Sequence, residues 1–202
     1  MLGITLRLIT IGLAGIAVMA ADIDRGVELY NAREYEQAER VLREAVGEEP
    51  ENVRALTYLG MTLASREKTA EARKYLEKAD ELEPNNDTVK VGLARTWFLE
   101  KKLDQAEAAL SEALSINAEN AEAPYWRGLV HVGRKNYQAA ADDFELAVER
   151  NPENAYAHYY AGMAYNALRR PDKMVEHFQK FVRLAPDAPE SRKVQSILRS
   201  VR

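Results

Sequence analysis

A 34-residue period runs through this chain and decides most of what it can become. Pro50, Pro84, Pro152 and Pro186 fall on one grid, with Ala118 in the vacant slot. Ala38, Ala72, Ala106 and Ala140 keep the same spacing, as do Leu42, Leu76, Leu110, Phe144 and Phe178. Ala45, Ala79, Ala113 and Ala147 follow it, and so do Gly26, Gly60, Gly128 and Gly162, with Ala94 in the middle position. Several residue types sharing one period over five repeats mark a stack of supersecondary elements, each too small to bury its apolar face alone.

One repeat, Asn52 to Pro84, shows what is stacked. Leu56, Leu59, Gly60 and Leu63 recur three and four apart, one face of a helix. The polar stretch Arg66 to Thr69 interrupts it, and Ala72, Leu76 and Ala79 mark a second helix that stops before Pro84, a residue unable to continue it. Gly60 and the alanines are small where the two axes cross, and Leu59 and Leu76 fill the volume around them. Asn52, Asn86, Asn120 and Asn154 stand where each first helix needs an N-cap. The spacing predicts an all-α chain of helical hairpins.

Leu56-x-x-Leu59-Gly60-x-x-Leu63, then Ala72-x-x-x-Leu76, then Pro84, resembles the tetratricopeptide repeat, and Gly162-x-x-Tyr165 with Phe178 and Pro186 matches that pattern's aromatic slots more literally. The resemblance implies a right-handed α-solenoid of five 34-residue helix-turn-helix repeats over residues 21–186. Two departures stand out. The third repeat has Ala94 and Ala118 in place of the glycine and proline, which makes it the softest point of the array, and the fifth has Met174 and Phe181 where small residues are usual. Those two side chains need a further neighbour, and residues 187–202 supply one: Val194, Ile197, Leu198 and Val201 form an apolar stripe expected of a C-terminal capping helix.

The first twenty residues are a separate segment. Arg7 is the one charged side chain before Asp22, and Leu8 to Met19 is an apolar run of the length of a signal-peptide core. Val18-Met19-Ala20 places small side chains one and three residues before a cut after Ala20. Residues 1–20 therefore read as a cleaved export signal or, left uncleaved, as an inner-membrane anchor over residues 2–21. Either way the remainder is expected to be exported, periplasmic or secreted.

Composition excludes several classes of function. Lys+Arg number 28 against 32 Asp+Glu, a net charge of −4, without the basic excess of a nucleic-acid binder. There is no cysteine, hence no disulfide or thiol nucleophile. His131, His158 and His177 are dispersed; the first two read as packed ring substitutes and the third has no histidine three or four residues away to share a metal. Asp142 and Asp143 diverge around a helix and read as solvated. We expect no catalytic residue, no metal and no cofactor.

Function then rests on the surface that packing leaves free. The resemblance places the second face of each first helix on the concave side of the superhelix, where extended or helical peptides bind. Carried over residue by residue, this face holds Tyr58 and Met61, then Arg95 and Phe98, then Tyr125, Trp126 and Leu129, then Tyr156, Tyr159, Tyr160 and Met163. Tyrosine and tryptophan combine large contact area with a polar handle and recur as interface anchors. The positions that grip a C-terminal carboxylate in chaperone adaptors hold Ile23, Val27, Tyr58, Thr88 and Gly92, which disfavours that mode. The chain is thus expected to be a non-catalytic scaffold, monomeric or homodimeric, that binds a peptide or helix of a protein partner in an envelope-associated complex, with membrane contact only through its N-terminal segment if uncleaved. The alternative is a structural subunit of an obligate oligomer, its concave face filled by a neighbouring chain. Basic hairpin turns, such as Lys101-Lys102 and Arg134-Lys135, either face phosphate head groups or an acidic partner, or are solvated turns whose cations complement the C-termini of first helices.

Overall fold

The computed structural model describes residues 23–201, and their regular structure is helical throughout. They divide into two bodies between Glu100 and Lys101. The first holds α1 (residues 23–31), α2 (Tyr35–Glu48), α3 (Val53–Ser65), α4 (Thr69–Leu82) and α5 (Asp87–Leu99). The second holds α6 (Leu103–Ile116), α7 (Glu122–Gly133), α8 (Tyr137–Arg150), α9 (Ala155–Ala167), α10 (Pro171–Leu184) and α11 (Ser191–Ser200). The expected export signal, residues 1–20, lies outside the described residues.

The grid of asparagines starts helices as anticipated. Asn52 accepts from the Ala55 amide at 3.0 Å, Asn86 from the amides of Thr88 and Val89, and Asn154 from Ala157 at 3.0 Å. Asn120 accepts from Glu122 and Ala123 at 2.9 and 2.7 Å and so opens α7. Each such cap satisfies amides left open in the first turn and contributes about 1 kcal/mol. Asn136 caps α8 in the same way, accepting from Ala139.

The hairpin turns share one conformation. Arg33, Glu67, Lys101, Lys135 and Arg169, each 34 residues from the next, have φ between 57° and 63°. At Arg33 the amide reaches back to the carbonyl of Tyr30 and the next amide, of Glu34, to Leu29; the same pair of bonds recurs at Glu67, Lys135 and Arg169. This closure of a helix C-terminus favours glycine at the left-handed residue, because a Cβ there crowds the following carbonyl. Here the position is charged at every turn. We expect Lys135→Gly and Arg169→Gly each to raise unfolding free energy by about 1 kcal/mol, additively since the turns are separate. Urea denaturation of the single and double variants checks this, and a fall in midpoint would count against it.

Helix pairs close through a bulky residue seated on a glycine. A Cβ built on Gly60 would lie 2.5 Å from Leu76 Cγ, and one on Gly162 would lie 2.4 Å from Phe178 Cδ1. Leu76 and Phe178 are fully buried, and each such side chain contributes roughly 1.5–3 kcal/mol. Met174 and Phe181, the two oversized residues of the last hairpin, are buried too. The final segment forms α11, which packs on α10 and buries Val194.

Candidate functional site

In the second body the 3.6-residue period of α7 and α9 gathers aromatic side chains on one face of each helix. On α7 these are Tyr125 and Trp126, one turn after Glu122; on α9 they are Tyr156, Tyr159 and Tyr160, followed by Met163. The rings form a connected chain. Trp126 meets Tyr125 edge-on at 5.5 Å, Tyr125 meets Tyr160 at 6.2 Å, Tyr160 meets Tyr159 at 5.1 Å, and Tyr159 meets Tyr156 at 6.3 Å. Beneath them lie buried phenylalanines. Phe144 stacks on Tyr160 at 5.8 Å, and Phe181 approaches both Tyr159 and Tyr156. Each of the five rings is half-buried, while Met163 is exposed.

The polar rim of this face comes from the start of α11. Tyr156 Oη donates to Glu190 Oε2 at 3.2 Å. Burial pushes the Tyr159 phenol above its ordinary range, and Glu190 adds to the effect. Tyr160 is pushed up by burial and then by Tyr159, Glu190 and Tyr156. The site therefore offers rings, phenolic oxygens and a carboxylate.

Two expected groove residues are corrected. Met61 is 2% exposed and packs with Leu56, Leu76, Val89 and Leu93 in the core of the first body. Leu129 is likewise buried, at 9%. A first helix in a stack touches both its own partner and the next first helix, so the apolar positions between those contacts are covered. Tyr58 is half-buried against Tyr30, ring centroids 5.5 Å apart. Arg95 donates to Tyr30 Oη and, at 3.1 Å, to Ser65 Oγ, with its guanidinium above the Tyr30 ring. It thus ties α5 to α1 and α3. Phe98 is partly buried at the end of α5. Tyr30, absent from the expected set, shares the register position of Phe98, and that spacing is the signal that points to it.

Polar groups buried under these faces also depart from expectation. Asp143 is 5% exposed rather than solvated, and it takes both Nε and Nη2 of Arg127 at 2.9 and 2.6 Å. Those hydrogen bonds hold the Arg127 guanidinium further up than usual. His177 does have a histidine neighbour, across the helix pair: its Nδ1 lies 3.0 Å from His158 Nδ1, both rings being buried. The Pro152 carbonyl accepts from His158 Nε2, and Glu145 faces His177 Nε2 at 3.2 Å. Burial pushes the His158 imidazole down. Tyr165, which donates to Glu145 at 2.8 Å, is pushed up to about 12 by burial and by that carboxylate.

Among the described residues no group of three or more His, Cys, Asp or Glu side chains is placed to hold a metal. No described helix is long and apolar enough to cross a membrane.

Comparison with curated protein sequences finds no significant relative. Solved structures do resemble the chain. A thermophilic tetratricopeptide repeat protein of Thermus thermophilus, TTC0263, superposes with a TM-score of 0.78 at 20% identity, covering 89% of this chain and 98% of its own. MamA superposes with a TM-score of 0.60 at 23% identity, covering 87% and 94%. YrrB, described as having an unusual peptide-binding site, gives 0.58 at 22% identity, covering 87% and 90%. The shared helical-hairpin fold agrees with the sequence. One tetratricopeptide repeat model matches residues 63–129, and a second matches residues 23–87 and 131–189. With more than half of its length matched by one family model, the chain belongs to the tetratricopeptide repeat family.

Proposed function

We propose that this protein is a non-catalytic interaction scaffold that binds an extended or helical segment of another protein on the aromatic face of α7 and α9. The observation that carries the reading is the chain of half-buried rings from Trp126 through Tyr125, Tyr160 and Tyr159 to Tyr156, the four tyrosines packed against buried phenylalanines. Rings fixed in this way lose little conformational freedom on binding, and tyrosine and tryptophan dominate interface energetics. The peptide-binding site named for YrrB, a protein of the same fold, supports the same use here. The apolar run before Ala21 supports an exported protein, and hence a partner in the cell envelope.

Trp126→Ala and Tyr159→Ala are each expected to weaken partner binding by about 2 kcal/mol, roughly thirtyfold. Pull-down of partners followed by titration calorimetry on the wild type and both variants checks this. Capture undiminished in both variants would sink the reading.

A further inference from the structure

The aromatic face is not neutral in the chemistry it selects. Residues 122, 156 and 190 are one period apart, so Glu122 and Tyr156 at the starts of α7 and α9 and Glu190 just before α11 hold corresponding positions. Neither α7 nor α9 offers a free cation to these carboxylates. Within α7 the guanidinium of Arg127 is taken up by Asp143, and α9 contains no lysine or arginine. Glu190 accepts a hydrogen bond from Tyr156, a neutral donor, and pairs with no described cation. Arg192 and Lys193 follow it in α11, both exposed.

We propose, building on the binding reading above, that this face recognises a basic side chain, lysine or arginine, of the partner segment, seated over Tyr156, Tyr159 and Tyr160 and paired with Glu190. The geometry suits a cation in two ways. Tyr159 and Tyr160 stand edge to face at 5.1 Å, and Tyr156 stands likewise to Tyr159 at 6.3 Å, so neighbouring half-buried ring planes meet at a steep angle. A cation within about 6 Å of such ring faces is attracted by their quadrupoles. Glu190, with one oxygen held by Tyr156, has lone pairs left for a charge-assisted bond, the strong kind. Burial raises the phenols of Tyr159 and Tyr160, and the Glu190 carboxylate adds to that. An acidic segment would meet Glu122 and Glu190 with like charge and no compensating cation on α9.

Selection of a random dodecapeptide display library on the full chain tests this. Bound peptides are expected to be enriched at least fivefold in arginine or lysine at one position, flanked by apolar residues. Against Glu190→Gln, which keeps an acceptor for Tyr156, that enrichment should vanish while peptides are still selected; matching thermal melts exclude misfolding as the cause. Enrichment that is absent, or that survives Glu190→Gln unchanged, overturns the proposal and leaves the aromatic face standing as a binding site. Selection equally strong on a Trp126→Ala/Tyr159→Ala chain would instead remove the face itself, and the proposal with it.

Discussion

Phe178→Ala is expected to lower the unfolding free energy of the second body by about 4 kcal/mol, the middle of the range for aromatic truncation in a core. The ring is fully buried and lies against the backbone of Gly162, with Tyr159 6.3 Å from it. Its removal leaves a void with few routes to collapse, because glycine contributes no side chain to fill it and Tyr159 is already packed on Phe181. The reciprocal change, Gly162→Ala, should cost about 1–3 kcal/mol by overpacking, since the new methyl would sit 2.4 Å from Phe178 Cδ1. Gly162→Ala combined with Phe178→Leu should lose clearly less than the sum of the separate changes. Urea denaturation of the four proteins forms a double-mutant cycle. Additive losses would show that ring and glycine do not form one contact.

Glu39→Gln should cost the first body roughly 3–5 kcal/mol, the range for breaking a buried ion pair from one side. The Glu39 side chain is 8% exposed and is surrounded by three cations: Arg43 at 2.8 Å, Arg66 at 2.6 Å and Lys68 at 2.9 Å. Burial alone would push its carboxyl up. The hydrogen bonds and charges of Lys68 and Arg43 outweigh that and hold it at about 2, against an ordinary 4.5. Because the folded value is depressed, this contribution, about 3 kcal/mol, is present above about pH 5 and is lost as pH falls toward 2. The wild type should therefore lose stability on acidification more steeply than Glu39→Gln, and the two stability curves should converge near pH 2. Parallel curves in urea melts between pH 7 and pH 2 would contradict the assignment. Arg66 and Lys68 belong to a hairpin turn, so in this hairpin the basic residues serve an internal carboxylate.

What periodicity could reveal, the sequence revealed well. Helix starts at Asn52, Asn86, Asn120 and Asn154, the crossings at Gly60 and Gly162 and the cap over the last hairpin are set by steric rules that repeat with the chain. The polar interior was hidden because its partners do not repeat. Glu39 meets Arg66 and Lys68 from the next hairpin, Arg127 meets Asp143 across a helix pair, and His158 meets His177 nineteen residues on. Asp143 reads as solvated beside Asp142 only while Arg127 is unseen. Met61 and Leu129 show a second limit. Their helix face is legible, but whether a neighbouring helix covers that face depends on side-chain reach. Glu190 escaped notice among the aromatics because it opens what reads as a mere cap.

The seating of a large side chain on a glycine sixteen residues earlier recurs at Gly26 and Leu42, Gly60 and Leu76, Gly128 and Phe144, and Gly162 and Phe178. Leucine fills the first two sockets and phenylalanine the last two. Each couple is a steric lock: a larger residue at the glycine should be tolerated only with a smaller one at its partner, so the two hairpin types are expected to transplant whole better than blended. An engineer lengthening this protein would do best to copy complete hairpins, cut in the loops between them.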